Sequence, residues 1–234
     1  MKKGKLFLVS YLCRDMKKFS HILFDLDGTL TDNTIGIVNA VQHTVDTLKL
    51  KGYNGTLPEG FIGMPIQEGF KSFFSLNGYS PQYVVDNFRE FYSQHGVLEN
   101  NPYPGIYEML NKLYSEGTKL YVATAKLEKY AIEICEHFGF DKYLTEIKGA
   151  DYNGKNANKS TIIADLLKSQ QLTPSKEIAM VGDTVFDIEG GKKHGLSTVA
   201  VSYGFGKRET LQNAQPDFWA DDVCELQFLL GCKN

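Results

Sequence analysis

The run His21-Ile22-Leu23-Phe24-Asp25-Leu26-Asp27-Gly28-Thr29-Leu30 constrains this chain more than any other, because an apolar stretch ends abruptly in two carboxylates two residues apart. A short apolar run stopped by a glycine reads as a buried strand. Side chains alternate along a strand, but a turn at Gly28 follows at once, so both acids can be brought round the tip to face one crevice. Two crowded carboxylates call for a cation or a shared proton. A hard divalent metal with oxygen ligands answers that need, and an ionised aspartate beside it is a ready nucleophile toward phosphorus.

Beyond this point the pattern changes from strand to helix. Ile35, Val38, Val41, Val45 and Leu48 recur at helical spacing. Met64-Pro65 opens a second helical stretch through Phe70, Phe73 and Phe74, stopped by Asn77-Gly78. Ser80-Pro81 is a cap-plus-first-turn signal for a third, carrying Val84, Val85, Phe88, Phe91 and Tyr92 to Gly96. Between Asp32 and Pro102 no strand is expected, and the block reads as a small helical bundle.

After Tyr103-Pro104-Gly105 the chain alternates. A helix through Ile106, Met109, Leu110 and Leu113 precedes a strand at Leu120–Val122, and a helix ending at Gly139 precedes the segment around Thr145-Glu146-Ile147. The helix from Lys159 to Leu167, the strand Ile178–Val181, a short helix and the strand Thr198–Val201 complete the series. Such alternation predicts an α/β fold, a doubly wound, Rossmann-like parallel sheet with right-handed crossovers. In that architecture a site lies at the carboxyl ends of the strands, where Asp25, Asp27, Thr124 and Asp183 all fall.

Four ordered segments now stand out: Phe24-Asp25-Leu26-Asp27-Gly28-Thr29-Leu30, the strand ending Val122-Ala123-Thr124-Ala125, Lys159 opening a helix, and Gly182-Asp183-Thr184-Val185-Phe186-Asp187. Together they resemble the motifs of the haloacid-dehalogenase-like hydrolases, over the chain from about Met16 to its end. The resemblance implies that Asp25 attacks phosphorus, that Asp27 protonates the departing alkoxide and then deprotonates water, and that Lys159 neutralises the crowded charge. It further implies Mg²⁺ held by the Asp25 carboxylate, the Asp27 backbone carbonyl and Asp183, with Asp187 orienting a metal water or Lys159. Thr124 and the Ala125 amide would hold phosphate oxygens, and Lys126 would reach the leaving group. An acid at position 27 matches the family's phosphatases and mutases. Each role has a competing structural one: an Asx turn for Asp25, a solvated first-turn acid for Asp187, a helix cap for Thr124, and a surface lysine for Lys159, with Lys155 as its rival.

In the resembling family the helical insertion is a cap that closes over the core. The expected division is an N-terminal extension without assigned function at 1–15, a catalytic core at 16–31 and 103–234, and a cap at 32–102. Phe61-Ile62-Gly63-Met64-Pro65-Ile66 resembles a loop of phosphoglycolate-phosphatase-type caps, with Met64 in place of a proline, and makes Gly63 and Met64 candidate substrate contacts. Residues 33–102 contain only Lys49, Lys51, Lys71 and Arg89 as fixed positive charges, so a second strongly anionic group on the substrate is not evidently provided for. The aromatic residues of this segment, at helical spacing, read mainly as bundle core. The implied activity is hydrolysis of a small soluble phosphomonoester, phosphoglycolate-like or nucleotide-like. A sugar-phosphate mutase is the nearest alternative, and a non-catalytic phosphate-binding protein a more distant one.

A formal net charge of −3, with no basic run, argues against a nucleic-acid polymer or a membrane surface as partner. No apolar segment approaches the roughly 18 residues of a membrane span. Cys13, Cys135, Cys224 and Cys232 lack paired metal-ligand spacing and read as reduced thiols in the cytoplasm. The apolar stretch Leu6–Cys13 is short and followed at once by Arg14-Asp15, which argues against a signal peptide. The expected species is a monomer or weak homodimer.

Overall fold

The computed structural model describes residues 19–58, 60–62, 64, 66–151 and 158–232, so the expectations for residues 1–15 and for Gly63 lie outside the described residues. Strand β1 (His21–Phe24) lies at the centre of a six-stranded sheet of order β5-β4-β1-β6-β7-β8. Its neighbours are β4 (Lys119–Leu127) and β6 (Ile178–Gly182), flanked by β5 (Leu144–Ala150), β7 (Ser197–Val201) and β8 (Phe218–Ala220). Every pairing in this sheet is parallel.

Alternation within β1 shows why the sheet is covered on both sides. Ile22 and Phe24 join one buried cluster, while Leu23 joins a second with Tyr121, Ile162, Ile163, Leu166 and Met180. After the partly exposed His21, three successive apolar residues are buried, facing both sides as a covered parallel sheet requires. Helix α4 (Ile106–Ser115) buries Ile106, Met109, Leu110 and Leu113, the stripe its sequence displays. Helices α5 (Glu128–His137), α6 (Lys159–Ser169), α7 (Val185–Lys193), α8 (Arg208–Asn213) and α9 (Val223–Leu229) complete the layers. No described helix is long and apolar enough to cross a membrane.

The segment between Asp32 and Pro102 differs from expectation at its ends. Strands β2 (Thr31–Asp32) and β3 (Asn101–Pro102) form a two-stranded antiparallel ribbon, pairing Thr31 with Pro102 and Asp32 with Asn101. Strands of two residues are too short to show a period of 2, which is why the sequence does not display them. Between them lie α1 (Thr34–Leu48), α2 (Ile66–Phe73), α3 (Pro81–Phe91) and a π-helical turn, Tyr92–Gly96. The Ser80 hydroxyl caps α3 by accepting from the Tyr83 amide at 3.2 Å. In α1 the buried stripe is Gly36, Ala40, Val41, Thr44, Val45 and Leu48, and Ile35 is 52% exposed. Phe61, Phe70, Phe74 and Phe88 are buried, with Phe61 and Phe70 edge to face at 5.8 Å, so these rings build the bundle rather than a stacking platform.

Candidate active site

Asp25 stands one residue past β1, where its amide continues the sheet by donating to the Val181 carbonyl at 2.9 Å. The chain then turns tightly: Leu30 and Thr31 amides donate to the Leu26 carbonyl, and Gly28 adopts φ +82°. A Cβ at Gly28 would lie 2.3 Å from Asp183 Oδ2, so the backbone here must approach an acid delivered by β6. Asp183 follows Gly182 at the end of β6 and is fully buried. Thr29 Oγ1 donates to its Oδ1 at 3.2 Å and the Phe205 amide to its Oδ2 at 2.8 Å.

Lys159, at the start of α6, is placed by the Asn158 cap and reaches into the same crevice with a side chain only 3% exposed. Its Nζ lies 2.9 Å from Asp25 Oδ1 and 2.8 Å from Asp187 Oδ1, and donates to the Ala123 carbonyl at 2.9 Å. Asp187 is fully buried, which removes the solvated-helix reading, and its Oδ2 accepts from the Thr184 amide and hydroxyl at 3.0 and 2.7 Å. The same carboxylate therefore caps α7 and orients Lys159.

Asp25, Asp183 and Asp187 each offer a carboxylate oxygen within 4.8 Å of the others. Burial, reinforced by the Asp25 and Asp187 carboxylates, pushes Asp183 well above the ordinary carboxylate range. Burial likewise raises Asp187 against the opposing attraction of Lys159. Burial works against the Lys159 ammonium, yet Asp187 and Asp25 hold its pKa above that of a free lysine. Two of the three buried carboxylates thus share one ammonium, and the donors on the third, Asp183, are neutral. An all-oxygen, electron-rich set of this kind suits a hard divalent cation.

Asp27 has a different partner. Lys126 Nζ lies 2.6 Å from Asp27 Oδ2 and donates to the Tyr92 hydroxyl oxygen at 2.8 Å. Burial raises Asp27, with Lys126 pulling the other way. The expected strand-to-helix turn at Thr124 lies further on, because β4 runs to Leu127 with a register irregularity after Ala123 and α5 starts at Glu128. Thr124 is buried and its Oγ1 accepts from the Lys126 amide at 3.3 Å, whereas Ala125 is exposed. Lys126, expected at the leaving group, has its ammonium engaged by Asp27 and Tyr92.

Beside the acid cluster lie two cavities. One of about 400 Å³ is bounded by Thr34, Val38, Leu57, Ile62, Phe205 and Lys207. The other, about 150 Å³, reaches Met64, Thr184, Phe186 and Thr210. Neither is lined by Asp25 or Asp27; they adjoin the cluster through Phe205, whose amide binds Asp183. Lys207 brings a positive charge to the cavity wall from the core side, where the charge count over 33–102 could not reveal it. Tyr92, Phe205 and Lys207 carry no motif signal. Thr29 was legible inside the first motif but not as a partner of Asp183.

The family model for haloacid dehalogenase-like hydrolases matches residues 22–201. A 5'-nucleotidase of Pseudomonas aeruginosa is 34% identical over 91% of this chain and 96% of its own. Tyrosine-protein kinase PtkA of Mycobacterium tuberculosis is 33% identical over 90% of this chain and 72% of its own. The 1.7 Å crystal structure of a putative phosphatase from Clostridium difficile superimposes with a TM-score of 0.84 at 31% identity, covering 92% of this chain and 99% of that one.

Proposed function

The chain belongs to the haloacid dehalogenase-like hydrolases and is a phosphatase of that family, and on that premise we propose that it hydrolyses a small phosphomonoester through an aspartyl-phosphate formed on Asp25. The observation that carries this reading is the convergence of Asp25, Asp183, Asp187 and Lys159 at the carboxyl ends of β1 and β6.

In the first step an Asp25 carboxylate oxygen forms a bond to phosphorus while the bond from phosphorus to the ester oxygen breaks in line. The proton carried by Asp27 passes to that departing oxygen. In the second step Asp27 takes a proton from water, whose oxygen bonds to phosphorus as the acyl-phosphate bond breaks. Inorganic phosphate leaves and Asp25 is restored. Lys159, 2.9 Å from Asp25, offsets the charge that accumulates as carboxylate and phosphoryl group approach. Thr124 and the Ala125 amide, within the C-terminal part of β4 where its register is irregular, are the proposed contacts to phosphoryl oxygens.

The residues fit Mg²⁺: the Asp25 and Asp183 carboxylates and the Asp27 backbone carbonyl would hold it. Bound there, it supplies positive charge against the phosphoryl oxygens. Asp187 keeps a positioning role in this reading, since its oxygens are engaged by Thr184 and Lys159. The helices between residues 32 and 102 act as a cap that excludes bulk water, with Met64 contacting the leaving group. Lys207 supports a leaving group with its own anionic end, as phosphoglycolate-like esters have, while the apolar cavity walls equally accommodate a nucleoside.

A phosphate-release screen of small esters with Mg²⁺ tests the proposal, with Asp25→Asn as the decisive variant. Folded Asp25→Asn protein should release no phosphate above background. Near-normal release by that variant refutes the covalent mechanism. Isomerised sugar phosphate without net phosphate release would point to a mutase instead.

A further inference from the structure

Asp27 takes its counter-charge from Lys126, and Lys126 in turn is held by Tyr92. These residues come from different parts of the molecule. Asp27 and Lys126 lie at the tips of the central strands, whereas Tyr92 opens the π-helical turn at the end of α3. The Tyr92 ring is closely seated: it stacks on Phe88 at 5.6 Å, and a Cβ at Gly96 would lie 2.6 Å from its Cδ2. A π-helical turn costs regular hydrogen bonding and tends to persist where a side chain must be aimed. Here the aimed group is a hydroxyl whose oxygen receives the Lys126 ammonium at 2.8 Å, with the Asn33 side chain beside it. A lysine on its flexible stem, given only one acceptor, can swivel; two acceptors on either side fix it. The consequence falls on Asp27, whose Oδ2 is clamped at 2.6 Å while its buried Oδ1 has no hydrogen-bond partner.

We propose that Tyr92 is a positioning residue for proton transfer: through Lys126 it fixes the Asp27 carboxyl with one oxygen clamped and the other free to exchange a proton. Because Tyr92 rides on the inserted helices, the acid is correctly held only when those helices are seated on the core. The proposal rests on the reading of Asp27 as proton donor. When the ester bond breaks, the Asp27 proton goes to the bridging oxygen, whose electron pair would otherwise depart as an alkoxide. A nitrophenolate leaves without that proton.

The experiment compares kcat/KM, which reports steps up to leaving-group departure, for p-nitrophenyl phosphate and for the fastest alkyl phosphate in the phosphate-release screen. Full-length wild type, Tyr92→Phe, Lys126→Met and the double variant are assayed with Mg²⁺. Tyr92→Phe should lower kcat/KM for the alkyl ester about 10–100-fold, part of the contribution of general acid catalysis, and for p-nitrophenyl phosphate less than about threefold. In the Lys126→Met background, Tyr92→Phe should cost nothing further, because both act on one carboxyl. Should Tyr92→Phe fail to fold, Lys126→Met reads the same pair from the core side through the same leaving-group contrast. Equal losses on both esters, as from disturbed packing, or additive losses in the double variant, overturn the proposal. A wild type inactive on both esters refutes the hydrolase mechanism beneath it, and is thereby distinguished from an active wild type whose variants lose both activities alike.

Discussion

Replacing Lys159 by methionine tests how the acid cluster is held together without metal. The ammonium lies 2.9 Å from Asp25 and 2.8 Å from Asp187, with a side chain 3% exposed. At an effective dielectric of about 20 each attraction is worth roughly 6 kcal/mol before desolvation is counted. Stripping water from the ammonium offsets much of this, and removing one member of a buried ion pair costs about 3–5 kcal/mol net, because the other members stay buried and unpaired. For a chain of this size that predicts a fall in Tm of about 6–20 °C for Lys159→Met at neutral pH in EDTA. The fall should depend on pH. Asp183 and Asp187 have folded-state pKa values raised above their unfolded ones, so the folded protein binds extra protons at low pH, and stability drains away as pH rises from about 4. Without Lys159 that drain is steeper, and the gap between variant and wild type should narrow on acidification to about pH 5. Saturating Mg²⁺ should narrow it too, by binding the more negative site of the variant more strongly. Thermal denaturation followed by circular dichroism, at several pH values with and without Mg²⁺, measures all three trends. A Tm unchanged by the substitution, or a gap indifferent to both pH and Mg²⁺, refutes the idea that Lys159 is the counter-charge of the cluster.

Activity should require Mg²⁺ and fall with excess Ca²⁺, because calcium accepts more oxygens at longer distances and can engage both oxygens of Asp25; equal rates in the two metals would count against Asp25 serving as ligand and nucleophile together. Substitutions at Ile62 and Met64 should change relative kcat/KM among esters by about 10–200-fold while changing p-nitrophenyl phosphate hydrolysis far less, and uniform slowing of every ester would dismiss a selective role. Gly28→Ala should add about 1–2 kcal/mol of backbone strain and press a methyl on Asp183, raising the Mg²⁺ concentration for half-maximal activity in a metal titration; an unchanged titration would show that the turn has room to yield.

The parts of the fold legible in the sequence are those whose signal is local. Asp25 and Asp183 each follow a run of buried apolar residues, with Gly28 three positions after the first and Gly182 directly before the second, so strand, turn and acid can be read in one short window. Lys159 is legible because the apolar stripe of α6 begins beside it. The clamp on Asp27 is not, since its members lie 99 residues apart in one contact and 34 in the other, and no periodicity relates them. Phe205 contributes a backbone amide, which no side-chain pattern can announce. The exposure of Ile35 was hidden by a stripe that fits helical spacing equally well one step round, where Gly36 and Ala40 allow close approach. β8 and α9 are too short for periodicity to rise above composition.

The ribbon of β2 and β3 makes the chain leave and re-enter the sheet side by side, Thr31 opposite Pro102, at the separation of neighbouring strands, about 4.7–4.9 Å. To the sheet, everything between those residues is a loop with a mouth of fixed width. Closing such a loop costs only about 0.6 kcal/mol more for each doubling of its length. A longer or shorter run of helices can therefore be grafted between Asp32 and Asn101 with little strain on β1 or on Asp25 and Asp27, which follow it on the near side of the join.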